Sequence, residues 1–167
     1  MTALFLEELV PSSVYESTGR TITETDVVTF AGLSGDYNQI HTDTEFCKGT
    51  AYGQRVVYGV LGMSVLTGLL DRIGVFSGTA VAMLKLTDWR FLLPVFIGDT
   101  VRFRMTIKTV RQTTDGSPGT VAVGCELVNQ HGRTTQRGVM YLLVRSRSGL
   151  APTDTSADAR PALAAAL

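Results

Sequence analysis

The chain runs to 167 residues, 44% of them hydrophobic, with 15 basic side chains balancing 15 acidic ones. A chain of this size buries roughly two thirds of its unfolded surface in a single core, and the even charge balance, with no Lys/Arg cluster, argues against a nucleic-acid or membrane-surface partner. Cys47 and Cys125 are the only cysteines, too few and too far apart in sequence for a disulfide framework or a thiolate metal site, and they read as reduced residues of a cytoplasmic protein.

The N-terminus, Met1 to Leu9, has no basic stretch and meets acid before its apolar run is long enough for a secretion signal, so secretion is not expected. Thr23-Glu24-Thr25-Asp26 resembles a capping box and predicts a short helix through Val27, Phe30, Ala31 and Leu33. That helix delivers the chain into residues 34–41, Ser-Gly-Asp-Tyr-Asn-Gln-Ile-His, where the carboxylate of Asp36 precedes the imidazole of His41 by five positions. A carboxylate and an imidazole in one loop can share a water molecule, one group accepting its proton while the other hands a proton on, which suits addition or removal of water. The same residue types also serve turn chemistry through side-chain to backbone hydrogen bonds, so the spacing alone leaves both readings open. Ser34 and Gly35 are expected to shape the turn and Asn38 to support the loop or orient the water, while Asp43 is expected to cap a helix beginning near Thr44.

Val56 to Leu70 is nearly all apolar but short of the ~20 residues that span a bilayer, and predicts a buried helix covered on every side. Its interior glycines each cost roughly 1 kcal/mol relative to Ala and imply close approach of a sheet. Val101, Phe103, Met105 and Ile107 then alternate with Thr100, Arg102, Arg104 and Thr106, the period of a strand with one buried face. Turn clusters at 115–119 and 129–132 separate two further strands, Thr120 to Val128 and Thr134 to Val144, giving an antiparallel meander on one helix. From Ser146 the composition shifts to Ala, Pro, Asp, Ser and Thr, so residues 1–146 are expected to form one domain and 147–167 a disordered tail. His131 reads as a surface histidine and Asp99 as a turn residue, and two histidines with scattered carboxylates predict no metal site.

The loop at 34–41, continued by Thr42, Asp43 and Phe46, resembles the Ser-Gly-Asp-x-Asn-Pro-x-His-x-Asp loop of the MaoC-like, R-specific enoyl-CoA hydratases. Tyr58 to Met63 is similar to that family's Gly-led central helix, and Asp88 to Phe91 and Pro94 to Thr100 to the strand and turn that follow it. The likeness covers about residues 20–145 and includes the mesaconyl-CoA hydratase branch. It implies an α+β hotdog fold, an antiparallel sheet wrapped around a long apolar helix, assembled as a homodimer or larger homo-oligomer. It also implies a hydro-lyase in which Asp36 and His41 activate water and the backbone N–H of Gly59 binds the thioester oxygen. No separate cofactor is implied, because CoA or phosphopantetheine arrives as part of the acyl thioester, with Lys108, Arg111, Arg133 and Arg137 available for CoA phosphates. The Asp-x-Asn-x-x-His arrangement disfavours a hotdog thioesterase. A dehydratase of carrier-protein-bound 3-hydroxyacyl groups and a non-catalytic acyl-thioester-binding subunit are the alternatives. Three departures stand out: Gln39 replaces the usual Pro, Tyr58 the usual His, and Arg55 a common Pro. Gln39 can reach the water, Tyr58 and Arg55 the substrate. Arg55 reads either as a solvent-facing loop residue or as the bidentate partner of a carboxylated acyl group.

Overall fold

The computed structural model describes residues 2–113 and 116–148. Strand alternation builds its sheet. In β4 (Thr100–Arg111) the side chains of Val101, Phe103, Met105 and Ile107 are fully buried, while β5 (Gly119–Asn129) contributes Val121, Val123, Cys125 and Leu127 to the same face. With β6 (Thr134–Val144), β3 (Ala80–Phe91), β1 (Val14–Glu16) and β2 (Arg20–Thr21) they form an antiparallel six-stranded sheet of order β1-β4-β5-β6-β3, β2 pairing separately with β4. Against its inner face lies α4 (Gly59–Ile73), whose Leu61, Val65, Leu66, Leu69 and Ile73 join the core. Burial on this scale, about 25 cal/mol per Å² of apolar surface, is what holds helix to sheet.

Ahead of α4 come three shorter helices, α1 (Glu24–Ser34), α2 (Gln39–Thr42) and α3 (Thr44–Lys48). The expected capping box is present: Thr23 accepts from the Asp26 N–H at 3.2 Å while Asp26 accepts from the Thr23 N–H at 2.8 Å. Asp26 also pairs with Arg20 at 2.6 Å. Burial alone would push its carboxyl up, but the Thr23 and Arg20 hydrogen bonds hold it below the ordinary value.

Four features differ from expectation. The central helix starts at Gly59, as the Gly-led likeness implies, but runs to Ile73, three residues past the end of the apolar stretch. It is also not covered on every side, because the sheet takes one face and leaves a stripe of Val60, Ser64, Thr67, Gly68 and Asp71 exposed. Leu33, one of the apolar residues of the expected helix, is 81% exposed. Finally, β1, β2 and the first two thirds of β3 are strands that the sequence did not announce, and β3 has three register shifts against β6.

The two ends of the described chain are tied together. Leu6 donates its N–H to the Arg145 carbonyl at 3.0 Å, Glu7 accepts from the Ser146 hydroxyl and the Arg147 N–H, and Arg147 pairs with Glu8 at 2.7 Å above the Phe5 ring. The Ser146 hydroxyl first, then the Arg147 amide, lower the Glu7 carboxyl to about 2. Residues 147 and 148, the first of the expected tail, thus lie in this clamp. The rest of that tail, 149–167, lies outside the described residues.

Candidate active site

The loop after α1 is fastened by its own short side chains. Gly35 closes the helix at φ +72°, a left-handed conformation that costs glycine little, and donates to the Ala31 carbonyl at 2.9 Å. Ser34 donates from its hydroxyl to the Phe30 carbonyl at 2.7 Å and accepts the Asp36 N–H at 3.2 Å. Asp36 Oδ1 accepts the Asn38 N–H and Asn38 Oδ1 the Ile40 N–H, both at 3.1 Å, two successive Asx turns that start α2. Asp43 then accepts the Phe46 N–H at 2.9 Å and caps α3, as expected.

On α2, His41 meets residues from beyond the loop. Its Nδ1 lies 2.6 Å from the Val56 carbonyl oxygen, which can only accept, so Nδ1 carries the proton and Nε2 is left as the basic nitrogen of the neutral ring. The Tyr58 ring lies against the imidazole, centroids 3.8 Å apart at 33°, and the Tyr58 hydroxyl donates to the Asp36 backbone carbonyl at 2.6 Å. Tyr58 therefore joins the two halves of the expected dyad. Burial first, then the nearby Asp36 and Tyr37, push its phenol above the ordinary range, so it stays a donor at neutral pH. Beneath the loop, buried Cys47 points its thiol at the Gln39 and Ile40 carbonyls, at 3.5 and 3.3 Å.

A cavity of about 450 Å³ opens between His41, the start of α4 and the end of β3, lined also by Tyr52, Phe91, Leu92 and Gln136. Gly59 sits in its wall as the first residue of α4. A helix start leaves its first N–H groups without intrahelical acceptors and concentrates positive potential there, and the Tyr58 side chain does not cap this end. A Cβ at position 59 would come within 2.7 Å of the Phe91 ring, so any side chain there would have to displace that ring. The carbonyl of Gly59 accepts from Gln136 Nε2 at 3.1 Å, and Gln136 Oε1 accepts from Trp89 Nε1 at 3.3 Å.

The family described as MaoC like domain matches residues 7–129, about three quarters of the chain. The chain belongs to the MaoC-like domain family. Protein MaoC of Klebsiella aerogenes is 36% identical over 104 residues, 62% of this chain and 30% of that protein. The (R)-specific enoyl-CoA hydratase of Aeromonas caviae is 34% identical over 87 residues, 52% of this chain and 63% of that protein. The MaoC-like domain thus spans less than two thirds of the length of either relative. A solved structure described as the monoamine oxidase regulatory protein from Archaeoglobus fulgius superposes with a TM-score of 0.79 at 32% identity, covering 87% of this chain and 97% of that one. The fold is the hotdog that the sequence resemblance implies.

Within the MaoC-like domain, His41 and Gly59 line one cavity; Asp36 does not, its carboxylate being exposed in the loop and reaching the others through Tyr58. Ser34, Gly35 and Asn38 support the loop through the hydrogen bonds given above. Gln39 is exposed at the first turn of α2, where its carbonyl accepts the Asp43 N–H. Arg55 is turned toward Glu24 at the start of α1 and forms an ion pair with it, the hydrogen bond it donates to the Glu24 carboxylate holding its guanidinium pKa above the ordinary value. That pair occupies the guanidinium which the sequence offered to a carboxylated acyl group. Asp99 is a turn residue, accepting from the Phe96 N–H and from Gln130, and His131 is exposed. Burial pushes the Cys125 thiol up to about 12 and leaves it inert. Sequence reasoning missed Phe91, Trp89 and Gln136; the available signal was a glycine at 59, 62 and 138 facing each of them. Among the described residues no cluster of three or more His, Cys, Asp and Glu would hold a metal ion, and no helix is long and apolar enough to cross a membrane.

Proposed function

We propose that this MaoC-like domain is an (R)-specific hydro-lyase of acyl thioesters, adding water to a trans-2-enoyl thioester or removing it from the 3-hydroxyacyl product. Asp36 and His41 Nε2 hold the water. Its oxygen adds to the β-carbon as the C=C π pair moves onto the thioester, forming an enolate whose oxygen accepts from the Gly59 N–H. The proton taken from the water by the dyad returns to the α-carbon, so one O–H and one π bond are exchanged for a C–O and a C–H bond. The observation that carries the reading is the Tyr58 link, with its hydroxyl on the Asp36 main chain and its ring on His41, immediately before Gly59 in the chain. The relative named an (R)-specific enoyl-CoA hydratase supports the stereochemistry. The thioester handle is CoA or a carrier's phosphopantetheine, and no separate cofactor takes part.

The domain works as a cytoplasmic homodimer or larger homo-oligomer. Exposed Tyr52, Val60, Phe91 and Leu92 around the cavity support a second copy seated there, since an apolar rim of this kind is better covered than wet. The decisive assay follows loss of enoyl-thioester ultraviolet absorbance with crotonyl-CoA, a longer enoyl-CoA and mesaconyl-CoA, for the native protein, Asp36→Asn and His41→Ala. Turnover by the native protein alone establishes the reading. Retained activity in Asp36→Asn removes that residue from the mechanism, and silence from the native protein on all three points to a carrier-bound substrate or a binding subunit.

A further inference from the structure

Gln136 is a polar side chain, only 3% exposed, in the wall that also holds His41 and Gly59. Its amide has one possible orientation. The indole N–H of Trp89 only donates and the Gly59 carbonyl only accepts, so Oε1 must face Trp89 and Nε2 must face Gly59. Three further positions are shaped around this relay. A Cβ at Gly62 would fall 2.2 Å from Gln136 Nε2, and one at Gly138 would fall 2.4 Å from Trp89 Cε3. Asp88 adopts φ +52°, an uncommon conformation for a residue with a side chain, at the register shift between Thr87 and Arg90 where Trp89 sits. A strained bulge, a half-buried indole and a buried amide thus converge on the carbonyl of one glycine, the residue whose backbone is freest to rotate.

We infer that Gln136 is a positioning residue for the oxyanion donor: by holding the Gly59 carbonyl, with Trp89 orienting it, it pins the Gly59–Val60 peptide and limits rotation about Gly59, so that the N–H of the adjoining Tyr58–Gly59 peptide stays aimed at the thioester oxygen. The inference rests on the hydratase reading and deepens it. Gln136 acts through Gly59 and is not itself a catalytic group.

The test uses the full chain with crotonyl-CoA and five variants. Gln136→Met removes the amide at similar volume, Trp89→Phe removes the indole donor together with part of the ring, and Gly62→Ala displaces the amide from the opposite side. Each is expected to lower kcat on the order of 10- to 100-fold with KM little changed, because misaimed groups lose transition-state contacts. In Gly62→Ala the better helix former offsets part of the clash with Gln136, so kcat is expected to fall by more than the change in Tm accounts for. The Gly62→Ala/Gln136→Met double variant should be no worse than the poorer single one. Gln136→Glu can donate to the Gly59 carbonyl only when protonated, so its kcat should fall with rising pH across a range where the native value does not. Native kcat in Gln136→Met and Gly62→Ala overturns the inference, as does a loss of kcat that merely follows Tm in every variant. Hydrogen exchange at the Gly62 and Met63 amides is read in parallel. Should the native protein turn over no enoyl thioester, the hydratase reading fails by itself, and exchange decides: faster in Gln136→Met supports positioning, unchanged overturns it.

Discussion

Ser34, Asp36 and Asn38 hold their loop through hydrogen bonds to backbone two to four residues away, whereas Gly59 is held by a side chain 77 residues distant on another strand. The first half of the site is therefore a local device standing on the surface, and the second a packed seam in the wall of the core. Chemistry and stability are expected to separate in the first half, whereas in the second both fall, with more kcat lost than stability accounts for wherever Gln136 is displaced. The largest expected effect is in the loop: Asp36→Asn and His41→Ala should each lower kcat by about 10² to 10⁴. Asp36 is exposed and its Asx turn survives as Asn, so the unfolding free energy of Asp36→Asn from urea titration should differ by less than about 0.5 kcal/mol. A variant that loses activity by unfolding would break the contrast.

In the seam, Gly138→Ala drives a methyl into the Trp89 ring and backbone. Overpacking of this kind costs roughly 1 to 3 kcal/mol, and kcat should fall with the urea midpoint. Gly35→Ala sharpens the same comparison from the loop side, because φ +72° costs an L-residue roughly 1 to 2 kcal/mol. Thermal melting should register that loss, smaller than the one at Gly138. Least disruptive is Tyr58→Phe, which keeps the ring on His41 but removes the bond to Asp36, a loss of about 1 kcal/mol. The sign of its pH dependence follows from the raised phenol. The fold favours the protonated form, so the Tyr58 contribution is complete below the ordinary value of 10.0 and disappears as pH climbs through the raised one. Tyr58→Phe should therefore remove a component of alkaline destabilisation, measurable as a flatter Tm profile above pH 10.

How much of this was readable in the bare chain follows the same division. Asx turns, the Thr23 capping box and the Asp43 cap depend on residues two or three apart, and each was legible because its cause lies inside that window. The alternation of β4 was legible for the same reason. Gln136 was not, since a glutamine on a strand becomes a buried amide only once β6 is known to face Gly62 of α4. Nor was the ion pair between Arg55 and Glu24, which spans 31 residues and turns an attractive substrate-binding candidate into a fastening between loop and helix. The exposed stripe on α4 escaped because Gly, Ser and Thr are close to neutral in hydropathy and, among leucines, do not declare a face.

The proton on His41 is assigned by a main-chain carbonyl and not by a carboxylate. No exchange of the Val56 side chain can withdraw that acceptor, so the ring's tautomer is insulated from point mutation in a way that a histidine oriented by an aspartate is not. Only chemistry outside the genetic alphabet reaches it directly: replacing Val57 by its hydroxy-acid analogue turns the Val56 carbonyl into an ester, a weaker acceptor, and loosens the ring without changing any side chain.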